Sequence, residues 1–396
     1  MPPLSIVSGK PKQARAIRLS LYLLTTLLLW GSIYAYVPIL PHYAEGLGAN
    51  KQMLGLITGV YGGMQMLRLV LGPLSDRLKK QKLFVTLGLG LATFGAILLL
   101  FSQSPWGIVI GRAFAGMAAC SFVQQTVLYK ACHQGPSSTA MGQINAYANL
   151  GDVIAMLVGG WLALRFGASA AFILAIVLGA AGFILSFWLF EEPVARVPVG
   201  FKAIIRMIAN PKMILASLLA LLAQAVMFAK VFTFALVSAR EAQASTLALS
   251  WVTSISMLGS FVASMAFSIA ALRKAPRKLM FIIGFCLQFL AILMMILWPS
   301  VFCIMVSQGL SGLSYGLTFT LCLALCVEDI EKNRQTTAMA CFQSLYALGM
   351  FIGPTVAGFL VERSGSLNAA YWFCLAICGI CIVTSFCAVP KNQEPT

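Results

Sequence analysis

The sequence predicts an all-α membrane protein, with twelve transmembrane helices in two pseudo-symmetric six-helix bundles. Three observations carry this. First, 60% of the 396 residues are hydrophobic and 10% charged, where soluble domains carry about 25% charged residues. Second, the apolar residues fall into twelve runs of 20 or more. At about 1.5 Å per residue each run crosses a hydrocarbon core of about 30 Å. Third, glycine patterns of the first six runs return in the last six. The stretch from Gly151 to Gly160 aligns with that from Gly349 to Gly358, and Ile108–Gly116 with Ile304–Gly312.

Span 1, at 19–40, follows a tail carrying Lys10, Lys12, Arg15 and Arg18. It exceeds the about 7–15 residues of a signal-peptide apolar core, so it reads as an uncleaved first crossing. Spans 2 to 6 follow at 52–75, 82–102, 105–130, 139–164 and 169–190. The long polar break at 191–211 separates them from spans 7 to 12 at 212–237, 246–271, 278–298, 300–327, 335–361 and 368–389. The chain thus divides into 1–190, a first bundle; 191–211, a cytoplasmic linker; and 212–396, a second bundle. In the linker, Phe201, Ile204, Ile205 and Ile208 recur at i, i+3, i+4 and i+7, with Lys202 and Arg206 off that face. This is the pattern of a short amphipathic helix on the membrane surface, ended at Asn210-Pro211.

Charge placement gives the orientation. With a cytoplasmic N-terminus, the inside segments hold 20 Lys and Arg residues and the outside segments hold four, Lys51, Arg165, Arg240 and Arg363. That bias puts both termini in the cytoplasm of an inner or plasma membrane. It also accounts for the net charge of +16 without a nucleic-acid partner. Of the 11 cysteines, Cys374, Cys378 and Cys381 share one helix face. With no His or acid beside them they read as small apolar packing residues, not a metal site or disulfide framework.

Between spans 2 and 3 lies Gly72-Pro73-Leu74-Ser75-Asp76-Arg77-Leu78-Lys79-Lys80-Gln81-Lys82. An acid and four cations there predict a tight turn at the membrane surface. The stretch resembles the signature loop of the major facilitator superfamily, Gly-x-Leu-Ala-Asp-Arg-x-Gly-Arg-Lys. Gly72, Leu74, Asp76, Arg77 and Lys80 match; Ser75 replaces the Ala, and Lys79 stands where the second Gly is usual. The resemblance implies two parallel six-helix repeats with substrate bound near the midplane between them. Gly111-Arg112-Ala113-Phe114-Ala115-Gly116 resembles the span-4 arginine motif of the superfamily's drug:proton antiporters, where the Arg is linked to proton coupling. The antiporter glycine-proline motif, normally in span 5, has its best copy in span 11, at Gly349, Gly353, Pro354, Ala357 and Gly358. Span 5 has Ala155-Met156 where Gly-Pro is usual.

Four charges fall well inside spans: Arg68, Arg112, Asp152 and Lys230. Intramembrane charges are costly and face a cavity or a partner. Asp152 is the one acid. With Asn145 and Asn149 it forms a polar face of span 5, read either as a cavity wall with a proton-carrying carboxylate or as a static partner for Arg112. Lys230 aligns with Tyr34 of span 1 and is assigned to the cavity, where a cation holds an anionic group. Trp30, Tyr34, Gln124, Gln125, Gln224, Tyr315, Gln343 and Tyr346 are candidate cavity contacts. Arg68, Gly72, Asp76, Arg77 and Lys80 are assigned to a cytoplasmic gate, with Asp76 facing the span-11 N-terminus at Gln335, Thr336 and Thr337.

These readings predict a secondary active transporter working by alternating access. The leading expectation is proton-coupled efflux of amphipathic compounds or metabolites. The alternative, from three buried cations against one acid, is transport of an anionic organic solute. A non-transporting receptor or scaffold ranks last, since no long extramembrane domain is present to signal. No nucleotide-binding loop, metal cluster or catalytic constellation points to an enzyme. No cofactor is expected, the drive being an ion gradient with the proton as candidate. The expected partners are a small-molecule substrate and the lipid bilayer, with the chain a monomer.

Overall fold

The structure is a computed structural model and describes residues 12–133, 137–191, 201–266, 276–330 and 335–389. Among these, twelve helices are long and apolar enough to cross a membrane: Ala16–Gly46, Lys51–Ser75, Gln81–Leu100, Pro105–Cys132, Ala140–Phe166, Ala168–Ser186, Pro211–Glu241, Thr246–Ala266, Arg277–Leu297, Val301–Val327, Thr337–Ser364 and Asn368–Ala388. They are spans 1 to 12. The basic tail 1–11 and the linker stretch 192–200 lie outside the described residues. An even number of crossings puts both described ends on one face, here the terminal face; the other is the far face.

Several spans depart from uniform helix for local reasons. Span 1 runs beyond residue 40. Pro38 and Pro41 occupy the first turns of the 3-10 segment Val37–Ile39 and the helix Leu40–Gly46, positions whose N–H is unpaired in any helix, so the chain re-nucleates and does not stop. Span 2 is interrupted between Gln65 and Arg68, and span 4 between Ala119 and Phe122. Span 7 carries a π-helical segment, Met227–Phe234.

The segment expected as a tight turn from Gly72 is instead helical through Leu78, with Pro73 inside the helix. The stop comes at Lys79, which takes φ +54°, and the Lys80 N–H then reaches back to Ser75 O at 3.4 Å. This is a Schellman-type ending, whose left-handed residue is usually Gly. Lys79 fills the place of the signature's second glycine and bears its backbone strain.

The glycines aligned between the halves make equivalent contacts. A Cβ added to Gly151 would lie 2.5 Å from Leu27 O, and one on its counterpart Gly349 1.9 Å from Leu221 O. Gly116 meets Tyr61 O at 2.4 Å in the same sense, and Gly312 meets Ser256 O at 2.0 Å. Span 5 therefore lies on span 1 as span 11 lies on span 7, and span 4 on span 2 as span 10 on span 8. Such backbone approach needs residues without a side chain. The repetition is the pseudo-symmetry of the two bundles.

The halves meet through two further seams of the same kind. Span 5 reaches span 8, where a Cβ on Gly160 would overlap Ser250 Oγ at 1.6 Å. Span 11 reaches span 2, where Cβ atoms on Gly55 and Gly62 would lie 2.1 Å from Pro354 O and 2.3 Å from Met350 Cβ. The Gly160 and Gly55 contacts sit in the far half of each span, and the Gly62 contact lies at mid-span. At the far rim the Lys51 N–H, at the start of span 2, donates to Glu362 Oε2 of span 11 at 2.9 Å. The Lys51 ammonium pairs with Glu45 at 2.5 Å and reaches Glu241 of span 7 at 3.8 Å. Toward the terminal face span 2 changes character. Tyr61 and Gln65 are buried, whereas Leu69, Val70, Leu74 and Leu78 are exposed. The halves are closed together on the far face.

Candidate transport site

The closed seam covers a polar and aromatic cluster built from five spans. Asp152 lies 12 residues into span 5, about 18 Å along the helix axis, and is 5% exposed. Tyr34 of span 1 and Tyr61 of span 2 lie within electrostatic reach of it and of Arg112 from span 4. The Arg112 guanidinium stacks 4.5 Å over the Tyr61 ring and 5.7 Å from that of Tyr36, and Nη1 donates to the Tyr36 hydroxyl at 3.4 Å. The second half closes the cluster with the π segment of span 7. Phe228 stacks on Tyr61 with ring centroids 6.0 Å apart, and Phe232 meets Tyr34 edge-on at 5.9 Å. A small cavity on this seam is lined by Tyr34, Thr58, Arg112, Phe228 and Phe232, among others. Trp30 packs against Tyr34 at 5.9 Å.

Two readings are corrected here. Arg112 and Asp152 do not form an ion pair: Asp152 Oδ1 and Arg112 Nε each lack any partner, and the guanidinium is held by aromatic faces. Residue counting suggested similar depth, but Arg112 lies seven residues and Asp152 14 residues from the far ends of their spans, and counting gives no direction around a helix. Lys230 does not line the space between the halves. It is fully buried behind the π segment, bonded to span 10, while Phe228 and Phe232 present the opposite face of that segment to the seam.

The other candidates separate into three groups. Gln224 donates to the Tyr315 hydroxyl at 2.7 Å. Tyr315 and Tyr346 pack on Phe319 at 5.0 and 5.3 Å, an aromatic cluster belonging to the second half. Gln124 is turned to the signature segment, donating to Ser75 Oγ at 3.2 Å, and Gln125 accepts from Thr26. Asn145 and Asn149 are exposed on span 5, with Asn145 bonded to its own helix at Met141 O. They do not continue the buried face of Asp152.

Of the expected gate residues, Arg68 lies deep and not at the rim. It is 4% exposed, donates to Ala119 O at 3.1 Å, and reaches electrostatically to Tyr61 and to Tyr346 of the second half. Arg77 and Lys80 are exposed at the terminal face, and a Cβ on Gly72 would meet nothing within 4 Å. The expected contact of Asp76 with Gln335 and Thr336 involves side chains outside the described residues.

Several buried polar atoms in both halves lack a partner among the described residues. They include Trp30 Nε1, Gln65 Nε2, Arg68 Nε, Arg112 Nε and Asp152 Oδ1 from the first half, with Gln224 Oε1 and Gln343 Oε1 from the second. Each such group costs about 1–3 kcal/mol. Tyr61, Gln65, Phe228 and Phe232 were not singled out by sequence, since nothing in their spacing distinguishes them from lipid-facing or core residues. Among the described residues, no group of His, Cys, Asp and Glu is arranged to hold a metal ion.

Comparison with known proteins agrees with this architecture. The chain is 24% identical over 364 residues to the inner membrane transport protein YajR of Escherichia coli, covering 87% of this chain and 79% of YajR. It is 27% identical over 179 residues to the quinolone resistance protein NorA of Staphylococcus aureus, covering 44% and 45% of the two chains. A crystal structure of the nucleoside transporter NupG superposes with a TM-score of 0.75 at 16% identity, covering 94% of this chain and 98% of that one; this likeness is one of fold. The profile described as Major Facilitator Superfamily matches residues 22–238 and 216–396. With twelve spans, paired glycine seams and a buried polar centre between two bundles, this multi-pass membrane protein belongs to the Major Facilitator Superfamily of secondary transporters.

Proposed function

We propose that this transporter is a proton-coupled exporter of small amphipathic compounds, acting in the cell membrane with both termini in the cytoplasm. The observation that carries the reading is Asp152, a buried carboxylate without an ion-pair partner, within electrostatic reach of Tyr34 and Tyr61 at the seam of the halves. A carboxylate freed from a fixed cation can take up and release a proton as its surroundings change. The aromatic walls offer stacking and cation–π surface to an amphipathic solute. The similarity to NorA, named for quinolone resistance, points the same way. The excess of Lys and Arg on the terminal face supports the orientation, which makes the far face the outside and this conformation closed to it. Rocking of the halves would then expose Asp152 to each side in turn.

A second reading, transport of an anionic organic solute, draws on Arg68 and Arg112. Both are buried, and each has an Nε without a partner. The test is transport in proteoliposomes under an imposed pH gradient, using norfloxacin, ethidium and a set of organic anions. Asp152→Asn should abolish gradient-driven movement of the cationic or zwitterionic probe. Unchanged movement overturns the proton role, and transport of the anions alone favours the second reading.

A further inference from the structure

Lys230 is a buried charge that neither reading of the transport site uses. It is fully buried in the second half. Its ammonium donates to Ser311 Oγ, to Ser307 O at 3.2 Å and to Gln308 Oε1 at 3.4 Å. Three N–H groups meet three acceptors, all from span 10. The titratable groups within its electrostatic reach are the thiols of Cys374 and Cys378 on span 12; no carboxylate pairs with it. A methionine in this place would avoid the cost of burying an ammonium, so the charge calls for a role beyond packing.

The backbone at Lys230 supplies one. The π segment Met227–Phe234 is centred on it. Thr233 Oγ1 donates to Phe228 O at 2.9 Å, and Gln308 Nε2 donates to Val231 O at 3.3 Å. Gln308 thus grips both the ammonium and the π backbone. Widened helical turns of this kind recur at functional sites. From the other side of the same eight residues, Phe228 and Phe232 reach across the seam to Tyr61 and Tyr34.

We propose that Lys230 is a positioning residue of the transport cycle. Anchored on Ser311, Ser307 and Gln308, it holds the π segment so that Phe228 and Phe232 seat against the Tyr61–Tyr34 face beside Asp152, linking the second half to the coupling site of the first. This rests on the proposed reading of that site, but its test needs neither substrate nor proton gradient.

Nitroxide labels are placed through non-natural side chains at Phe166 and Phe302, both exposed on the far face in opposite halves, and their separation is measured in lipid nanodiscs. Loss of a hydrogen bond to a charged group should shift the population with open far face by roughly tenfold. Ser311→Ala should show this, Lys230→Met should show at least as much, and Ser311→Thr, which keeps the hydroxyl, should restore the parent distribution. If Lys230→Met does not yield folded protein, the two Ser311 variants decide. Parent-like distances in folded Lys230→Met and Ser311→Ala, even with lowered melting temperature, would reduce Lys230 to a stability role and overturn the proposal. Failure of Asp152→Asn to affect gradient-driven transport would strike the coupling site and leave these distances untouched.

Discussion

Gly55→Ala is the smallest perturbation that bears on far-face closure. The added Cβ lies 2.1 Å from Pro354 O, 2.9 Å from its carbonyl carbon and 3.2 Å from Gly358 Cα. All three are backbone atoms of span 11 and cannot rotate aside. Ordinary contact begins at 3.4 Å, so spans 2 and 11 must separate by about 1.3 Å at this level. Overpacking of this kind costs about 1–3 kcal/mol. The cost falls on the conformation in which the seam is closed and vanishes once the halves part. The ratio of far-open to far-closed molecules should therefore rise roughly 5- to 150-fold. The assay is the Phe166–Phe302 label separation in nanodiscs, with Gly46→Ala as the control. A Cβ at Gly46, also near the far face, meets nothing within 4 Å and should leave the distribution alone. If Gly55→Ala matches the control, the seam is not the closing contact.

Other outcomes follow from the same geometry. Gly160→Ala, at the pseudo-symmetric seam, should shift the separation in the same direction, because rotating the Ser250 hydroxyl away still leaves Ser250 Cβ 2.7 Å from the added Cβ; label distances check this. Glu362→Gln keeps an acceptor for the Lys51 N–H but removes a carboxylate from a helix N-terminus. It should weaken far-face closure by about 0.3–1 kcal/mol, an effect that shrinks at high salt in the same measurement. Lys79→Gly should raise the melting temperature, stabilising the fold by about 1 kcal/mol, since it relieves a left-handed conformation at φ +54°. No gain on melting would mean that the Lys79 side chain offsets its backbone strain.

What the sequence made legible was whatever depends on position along a helix. Apolar run length set the twelve crossings. The pairs Gly151/Gly349 and Gly116/Gly312 could be aligned because only glycine permits the backbone approach that each makes. Asp152 stood out as the lone acid in hydrocarbon. Direction around a helix was not legible. Depth alone suggested an Arg112–Asp152 pair, but the guanidinium turned to Tyr61 and Tyr36. Lys230 was assigned to the cavity through its alignment with Tyr34, and nothing in the sequence announced the π segment in which it turns to span 10 instead. The stretch from Gly72 looked like a turn by composition, yet its stop signal is one residue, Lys79, at a place where glycine is usual.

The most direct test of coupled rocking is the Phe166–Phe302 separation followed across pH in the parent and in Asp152→Asn. If the proton on Asp152 selects which face is open, the parent distribution shifts between two populations as pH is varied, and Asp152→Asn holds one distribution throughout. A variant that tracks the parent across the whole range would contradict it.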